Sequence, residues 1–302
     1  MIDKGGTFLY SARCKEYNSP EGVQTAVDTC RKFGIDGIVA VGGDGTFRGA
    51  SDLCKQGIRC IGIPGTIDND ITCTDYSIGF DTAMNTVVEA VDRLRDTCES
   101  HARCNVVEVM GRNAGYIALE TGIAVGATVV VVKEDPSYDE DAAIEKIKAC
   151  KAAGKRNFLV IVAEGVDGYA EGFAKRIEAQ TGVETKFARL AHIVRGGSPT
   201  LRDRLLASRM GVAAVDLLLE GKDNIFVCER EGHIEYRGIW EAVTIDRMYK
   251  STFTPTLSFK EEELASYSPE QIEEFRKFVA MRQSEVRDLL RIADSLSNYK
   301  MN

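Results

Sequence analysis

Short apolar runs rich in β-branched residues alternate with longer amphipathic segments along most of this chain, and that alternation limits the fold more than any other feature. Runs typical of buried strands cover 37–41, 59–63, 105–110, 129–132 and 158–163. Helical patterns lie between them, as in 80–98, where apolar residues recur at spacings of three and four. This order predicts an α/β fold with parallel sheets covered by helices on both faces, and the length fits two such sandwiches.

Further elements are expected in the second half of the chain. Apolar spacing predicts helices over 139–152 and 201–219. The short runs 225–228 and 234–236, split by the turn at Glu231-Gly232, indicate a β-hairpin.

The C-terminal segment has the pattern of a long helix. Ser268, Pro269 and Gln271 stand in the order of an N-cap, a first-turn proline and an N3 residue, so a helix is expected to begin there. One apolar stripe follows, formed by Ile272, Phe275, Val279, Val286, Leu289 and Leu296. The simplest interpretation is a helix packed on the body of the protein or on a partner chain, without chemistry.

Composition argues against several classes of function. The net charge is −8 and no basic stretch is long enough to follow a nucleic-acid backbone, which argues against nucleic acid as a partner. Nine cysteines are scattered singly without a CxxC pair, as expected for reduced thiols in a cytoplasmic protein. No apolar run reaches membrane length, so no membrane partner is expected.

The first motif that carries chemistry is Gly42-Gly43-Asp44-Gly45-Thr46, between a predicted strand and a helical stretch. Glycines let the backbone approach a ligand, and the N-terminus of the following helix favours an anion. Asp44 would repel a bare phosphate, so it suits a site where Mg²⁺ bridges carboxylate and phosphate oxygens. An ordinary tight turn with an aspartate cap explains the spacing equally well, and no Gly-Lys-Ser/Thr follows as in a P-loop.

The second motif is Pro64-Gly65-Thr66-Ile67-Asp68-Asn69-Asp70, directly after the next predicted strand. In a parallel sheet, ligands bind beyond the carboxyl ends of the strands, so this turn and the first should open on the same crevice. A carboxylate near a transferable phosphoryl group can take the proton of an attacking hydroxyl, and Asp68 is the candidate. The alternative is a solvated turn without chemistry.

The third feature is a set of cations on later turns. Arg103 precedes the run 105–110, Arg112 follows it, and His192 and Arg195 stand in the stretch HIVRGGSP. Arginine forks match phosphate geometry, although a single arginine is more often a surface charge. Together these residues indicate a second phosphate site.

The four motifs GGDGT, PGTIDND, EVMGR and HIVRGGSP, in this order and spacing, resemble the 6-phosphofructokinases of bacterial type, the phosphofructokinase A family. The resemblance runs from about Gly5 to about Val243. It implies two αβα, Rossmann-like sandwich domains with mainly parallel sheets: a larger nucleotide-binding domain from 1–79 and 193–243, and a smaller sugar-phosphate-binding domain from 80–192. Residues 244–302 would form a helical tail.

The resemblance also implies an activity, the transfer of the ATP γ-phosphoryl to the 1-hydroxyl of fructose 6-phosphate in glycolysis, giving fructose 1,6-bisphosphate. Asp68 would be the base, Arg112 would stabilise charge during the transfer, and Thr66 would be the third catalytic residue. Asp44 would serve Mg²⁺. Nucleotide contacts would come from Arg13, Cys14, Gly43, Asp44, Gly45 and Thr46. Sugar-phosphate contacts would come from Thr66, Ile67, Asp68, Met110, Gly111, Arg112, Glu164, His192, Ile193, Val194 and Arg195.

The resemblance further implies sites shared between subunits, as in a homotetramer. Arg103 and Lys186 would reach the sugar phosphate of a neighbouring subunit. The family usually has arginine at the second of these positions, and a lysine meets phosphate as a point charge rather than as a fork, so weaker sugar affinity is expected. Arg95 and Lys155 match positions that bind effector phosphate between subunits, whereas Thr128 stands where the family has a Glu that helps hold a metal at that site. Allosteric regulation is therefore left open.

Three alternatives compete with this hypothesis. Pyrophosphate-dependent relatives carry Asp at the position of Gly45 and Lys at that of Gly65, so glycine at both favours ATP. A non-catalytic sugar-phosphate-binding chain is argued against by the intact Asp68, Asp44 and Arg112. An NAD or lipid kinase shares GGDGT but leaves PGTIDND and HIVRGGSP unexplained.

Family members open with a strand, a turn of the type GGDxxGxN and a helix before the stretch that matches Gly5-Gly6-Thr7-Phe8. That turn normally cradles the phosphates of the nucleotide. These 302 residues alone are therefore expected to bind ATP poorly, to turn over little and to aggregate, as a truncated gene model or fragment would.

Overall fold

A computed structural model describes residues 1–254 and 259–297. The strands, in chain order, are β1 (Gly37–Gly42), β2 (Arg59–Pro64), β3 (Cys104–Val109), β4 (Val129–Val131), β5 (Phe158–Ala163), β6 (Thr185–Arg189), β7 (Ile225–Arg230) and β8 (His233–Gly238). The α-helices are α1 (Pro20–Phe33), α2 (Asp44–Lys55), α3 (Phe80–His101), α4 (Tyr116–Ala124), α5 (Glu140–Ala152), α6 (Tyr169–Thr181), α7 (Leu201–Leu219), α8 (Ile239–Lys250) and α9 (Pro269–Ser297).

The described residues form two compact units. The first unit contains Met1–Gly79, Ser198–Ser251 and residues 259–279. The second contains Phe80–Gly197 and residues 252–254 and 280–297. Internal packing defines these units and does not test which ligand each one binds, so the predicted nucleotide, sugar-phosphate and tail domains remain a proposal.

The sheet of the first unit has the strand order β1-β2-β7-β8. β1 and β2 are parallel, in a register that pairs Gly42 with Pro64, while β7 and β8 form an antiparallel hairpin. Helices cover both faces: Phe47 of α2 and Ile239 of α8 belong to one buried cluster, and Met210 of α7 belongs to the other. Apolar burial of this kind is the main force that holds a sheet between helix layers.

The sheet of the second unit has the order β4-β5-β3-β6 and is parallel throughout. Every residue of β3 and β5 is buried, as expected for strands with helices on both faces. On one face Val106 and Val160 pack with Phe173 of α6 and Ile144 of α5.

These observations confirm the predicted fold class, two αβα layers with mainly parallel sheets. The predicted hairpin and the start of the long C-terminal helix are also confirmed. Ser268 and Gln271 form a reciprocal capping box, with the Gln271 amide hydrogen donated to Ser268 Oγ at 3.3 Å and the Ser268 amide hydrogen donated to Gln271 Oε1 at 3.0 Å. Leu296 departs from the predicted stripe, since it is 60% exposed.

The sequence pattern does not predict the edge strand β6. Its residues TKFAR include two cations, and an edge strand with one polar face lacks the continuous apolar run of a central strand. Within the described residues, none of the helices combines the length and apolar character that crossing a membrane requires.

Candidate active site

The first candidate turn joins β1 to α2. Gly43 is the N-cap of α2, and its carbonyl oxygen accepts the amide hydrogen of Phe47 at 3.1 Å. The amide groups of Asp44, Gly45 and Thr46, before this first helical bond, therefore have no hydrogen-bond acceptor within the helix. A Cβ placed on Gly45 would meet nothing within 4 Å, so open space lies beside the turn. An anion near this helix terminus would find favourable backbone dipoles.

Asp44 begins α2, and its carboxylate pairs with Arg48 one turn later at 3.0 Å. Among the described residues there is no group of three or more His, Cys, Asp or Glu side chains able to enclose a metal ion. Mg²⁺ bound together with a nucleotide needs only one or two carboxylates, because phosphate oxygens and waters complete its shell. The Asp44 side chain is 37% exposed beside the open space at Gly45, so the residues present fit that arrangement.

The second candidate turn follows β2 and lies directly beside the first. The amide hydrogen of Gly65 is donated to the carbonyl oxygen of Gly42 at 2.9 Å, and a Cβ on Gly43 would stand 3.9 Å from the Cβ of Thr66. The parallel register of β1 and β2 causes this proximity, because two paired strands that end at the same level place the turns after them side by side. The two motifs therefore open on the same edge of the sheet.

Hydrogen bonds within the second turn fix its shape. The amide hydrogen of Asp68 is donated to Thr66 Oγ1 at 3.2 Å. Asn69 is buried with φ +49°, and its side-chain oxygen accepts the Ser77 amide hydrogen at 2.9 Å. Ser77 Oγ donates to the Thr66 carbonyl oxygen at 2.6 Å. Asparagine tolerates this left-handed backbone conformation better than most residues, so it suits the sharp reversal between the two aspartates.

Asp70 does not lie in a solvated turn. Its side chain is 16% exposed, and its Oδ2 accepts a bond from Nζ of Lys250 at 2.9 Å. No sequence motif indicates this lysine as a partner of Asp70, because it lies 180 positions away in α8.

The second unit brings together most of the sugar-phosphate candidates. The strands β5, β3 and β6 are neighbours, and the amide hydrogens of Glu164 and Leu190 are donated to the carbonyl oxygens of Val109 and Glu108 at 2.8 and 3.0 Å. The turns after these strands consequently share one edge of the sheet. They carry Met110, Gly111, Arg112, Glu164, His192, Ile193, Val194 and Arg195.

The sugar-phosphate candidates of the second unit differ in how far their side chains are exposed to solvent. The side chains of Arg112, His192 and Arg195 are exposed and able to meet a ligand, whereas Val194 is 1% exposed and packs inside the unit. Any ligand contact of Val194 would thus have to come from its backbone. Gly111 has φ +132°, and a Cβ there would stand 2.4 Å from the carbonyl oxygen of Ala114, so the turn after β3 requires glycine.

Arg103 and Lys186 lie at the opposite end of the same sheet. Arg103 precedes β3, and Lys186 is the second residue of β6. Both contact Glu184, with Arg103 Nε at 2.8 Å and Lys186 Nζ at 2.9 Å. The hydrogen bond from Arg103, with that from Lys186, lowers the pKa of Glu184 to about 2, so this carboxylate is charged at any working pH.

The remaining candidates lie apart from these groups. Arg13 and Cys14 belong to an exposed segment before α1, where Cys14 Sγ donates to Glu16 at 3.5 Å. No hydrogen bond or ion pair within the described residues joins either of them to the turn after β1. Of the effector-site candidates, Lys155 donates to Thr128 Oγ1 at 3.1 Å, and burial lowers its pKa.

A family model described as phosphofructokinase matches residues 1–218. The chain belongs to the phosphofructokinase family. Two curated relatives named ATP-dependent 6-phosphofructokinase illustrate the similarity. The one from Brevibacillus brevis is 54% identical over 227 residues, which are 75% of this chain and 70% of the relative. One from Clostridium botulinum is 50% identical over 249 residues, covering 82% of this chain and 77% of the relative.

Solved phosphofructokinase structures share the fold. The Saccharomyces cerevisiae enzyme superposes with a TM-score of 0.77 at 28% identity, and the Pichia pastoris enzyme in the T-state with 0.78 at 30%. Each comparison covers 92% of this chain but only 41% and 32% of the yeast chains. A pyrophosphate-dependent phosphofructokinase from Marinobacter aquaeolei reaches 0.68 at 25% identity, covering 78% of this chain and 66% of that chain.

Proposed function

We propose that this phosphofructokinase transfers the γ-phosphoryl group of ATP to the 1-hydroxyl of fructose 6-phosphate. The observation that carries the proposal is the pairing of the turns after β1 and β2, which places the Asp44 and Asp68 motifs on one edge of the first sheet. The relatives at 50–54% identity are named for ATP, which supports ATP over pyrophosphate as the donor.

Asp68 takes the proton of the attacking hydroxyl in this proposal. The hydroxyl of Thr66 accepts the Asp68 amide hydrogen and so holds the backbone of the base in place. Arg112, exposed after β3, neutralises charge on the phosphoryl group in transfer. Asp44 would hold Mg²⁺, which supplies charge neutralisation for the phosphates when it is bound.

The open space beside Gly45 supports the assignment of the donor. Gly45 faces open space, and a Cβ on Gly65 would press on Val41 Cγ1 at 2.9 Å. A side chain at position 45, as in pyrophosphate-dependent relatives, would fill the open space beside the first turn. Glycine there leaves that room for the rest of a nucleotide.

The sugar phosphate would be held by residues of two chains. Arg112, Glu164 and Arg195 follow the strands of the second sheet, whereas Arg103 and Lys186 lie at the other end of those strands. Five steps along β3 span roughly 17 Å, too far for one sugar phosphate to reach both sets in one chain. A homo-oligomer, in keeping with a tetramer in the cytoplasm, would bring the second set from a neighbour.

A coupled assay with fructose 6-phosphate tests the function. For these 302 residues we expect low turnover that requires ATP and Mg²⁺, and still less turnover with pyrophosphate. Asp68→Asn should lower kcat by roughly 10²–10⁴ with little change in the KM for the sugar, the usual contribution of a positioned base. The matched variant Asp28→Asn changes an exposed aspartate of α1 and should act like wild type.

Two outcomes would contradict the proposal. An unaltered kcat for Asp68→Asn would remove this residue from the mechanism. Thermal stabilisation by fructose 6-phosphate without turnover would favour the non-catalytic sugar-phosphate-binding chain, since binding raises stability by mass action without chemistry.

A further inference from the structure

Two buried charged residues of α8 face the turn that carries Asp68. Asp246 and Lys250 stand four positions apart, so they share one face of the helix. Asp246 is 4% exposed, and the Lys250 side chain is 11% exposed. Charged groups this deeply buried are rare unless they are paired, so their partners indicate what the face of α8 is for.

The partners lie in the stretch 70–72. Nζ of Lys250 bonds to Asp70 Oδ2 at 2.9 Å, and Asp246 Oδ1 accepts the amide hydrogen of Thr72 at 2.5 Å. Helix α8 therefore contacts the chain at two residues that lie within four positions of the candidate base Asp68. The match to the family model ends at residue 218, so the two residues of α8 that make these contacts lie outside the matched stretch.

The charges in this cluster favour a fixed ammonium group. Burial opposes the charge of Lys250, but the carboxylates of Asp246, Asp70 and Asp44 outweigh it and raise the pKa of the lysine. A buried cation among carboxylates has few alternative positions, because any movement away from them leaves a charge without a partner. This makes the bond between Lys250 and Asp70 a rigid support rather than a loose surface pair.

The bond also distinguishes the two aspartates of the motif. Asp70 Oδ2 accepts a hydrogen bond from the ammonium group of Lys250, and the backbone amide hydrogen of Asp68 is donated to Thr66 Oγ1. We propose that Lys250 is a positioning residue that, by pairing with Asp70, fixes the turn so that Asp68 rather than Asp70 is presented for proton transfer. This inference rests on the proposed function.

A double-mutant cycle tests the inference with the full chain. Lys250→Met removes the charge and keeps the length of the side chain, and Asp70→Asn removes its partner. We expect Lys250→Met to lower kcat about 10²-fold, the effect of a displacement near 1 Å at a reacting group, with the sugar KM within threefold of wild type. The control Lys277→Met removes an exposed lysine paired with Glu273 at 3.9 Å and should leave both constants unchanged.

The cycle stays informative even if Lys250→Met does not fold. The double variant removes both members of the pair, so it leaves no unpaired charge at position 70. If Lys250 acts through Asp70, the double variant should have the kcat of Asp70→Asn within threefold. A further tenfold loss in the double variant would show that the lysine acts independently of Asp70 and would overturn the inference.

Failure of the inference can be told apart from failure of the function. Wild-type protein without turnover of fructose 6-phosphate and ATP would refute the function and this role with it. Active wild type together with a fully active Lys250→Met would refute the positioning role alone.

Discussion

Replacing Gly111 by alanine is a sharp test of the sugar-phosphate site, because the structure gives the size of the disturbance. The new Cβ would stand 2.4 Å from the carbonyl oxygen of Ala114. Carbon–oxygen contacts are normally at least about 3.3 Å, so the turn must shift by roughly 0.9 Å. The φ of +132° adds backbone strain on the order of 1–3 kcal/mol.

Arg112 follows Gly111 directly, so the shift would be passed to the guanidinium that is proposed to meet the phosphoryl group. A misplacement of about 1 Å can cost about 10²-fold in rate, and we expect a loss of this order in kcat/KM for fructose 6-phosphate. The coupled assay measures the loss, and a thermal melt reports the strain. Binding of ATP alone, which is proposed for the first unit, should be unchanged.

Gly126→Ala is the matched control. Gly126 has φ +61°, yet a Cβ there would meet nothing within 4 Å, so this variant carries backbone strain without a clash. It should lose some thermal stability and keep its kinetic constants. If Gly111→Ala kept kcat/KM within threefold of Gly126→Ala, the turn after β3 would not position the sugar phosphate.

Three other perturbations test the donor, the shared sugar site and the buried carboxylate of α8. Gly45→Asp should fold normally, since its side chain enters open space. It should lose ATP turnover, measured by kinetics, much more than sugar binding, measured by thermal shift. Preserved ATP turnover would refute the donor assignment. Mixing inactive Arg103→Ser chains with inactive Asp68→Asn chains should restore partial activity, and absence of rescue after proven subunit exchange would refute the shared site. Burial raises the pKa of Asp246 to about 6, above its unfolded value. On acidification from about pH 6 to pH 4 the free energy of unfolding of the wild type should therefore rise relative to that of Asp246→Asn. Urea unfolding at pH 7 and pH 5 measures this difference, and an equal change in unfolding free energy for both proteins would contradict the prediction.

The positions of the two motif turns could be predicted from sequence because they depend on local rules. Glycine-rich stretches after β1 and β2 indicated where each strand ends, and parallel pairing then placed both ends on one edge. The identity of the bound groups needed the resemblance to a family, since spacing alone left an ordinary turn equally possible.

The contacts of Lys250 could not be predicted in the same way. An aspartate four positions before a lysine on a helix is typical of an exposed ion pair, and the sequence gives no sign that both are buried. Their partners at 70 and 72 are more than 170 positions away, so only the packing of α8 on the first unit brings them together. Glu184 was missed for a related reason, because it contacts Arg103 only through the pairing of β3 with β6.

The placement of Arg103 and Lys186 at the far end of the second sheet has a consequence for how activity depends on protein concentration. If the Arg103 and Lys186 side chains of each sugar site belong to another chain, a dissociated chain has no complete sugar site. Specific activity should then fall on dilution below the dissociation constant of the oligomer, and fructose 6-phosphate, which touches both chains, should oppose that loss by linkage. The enzyme would thus be assembled in part by its own substrate, and its apparent sugar affinity would vary with the amount of protein present.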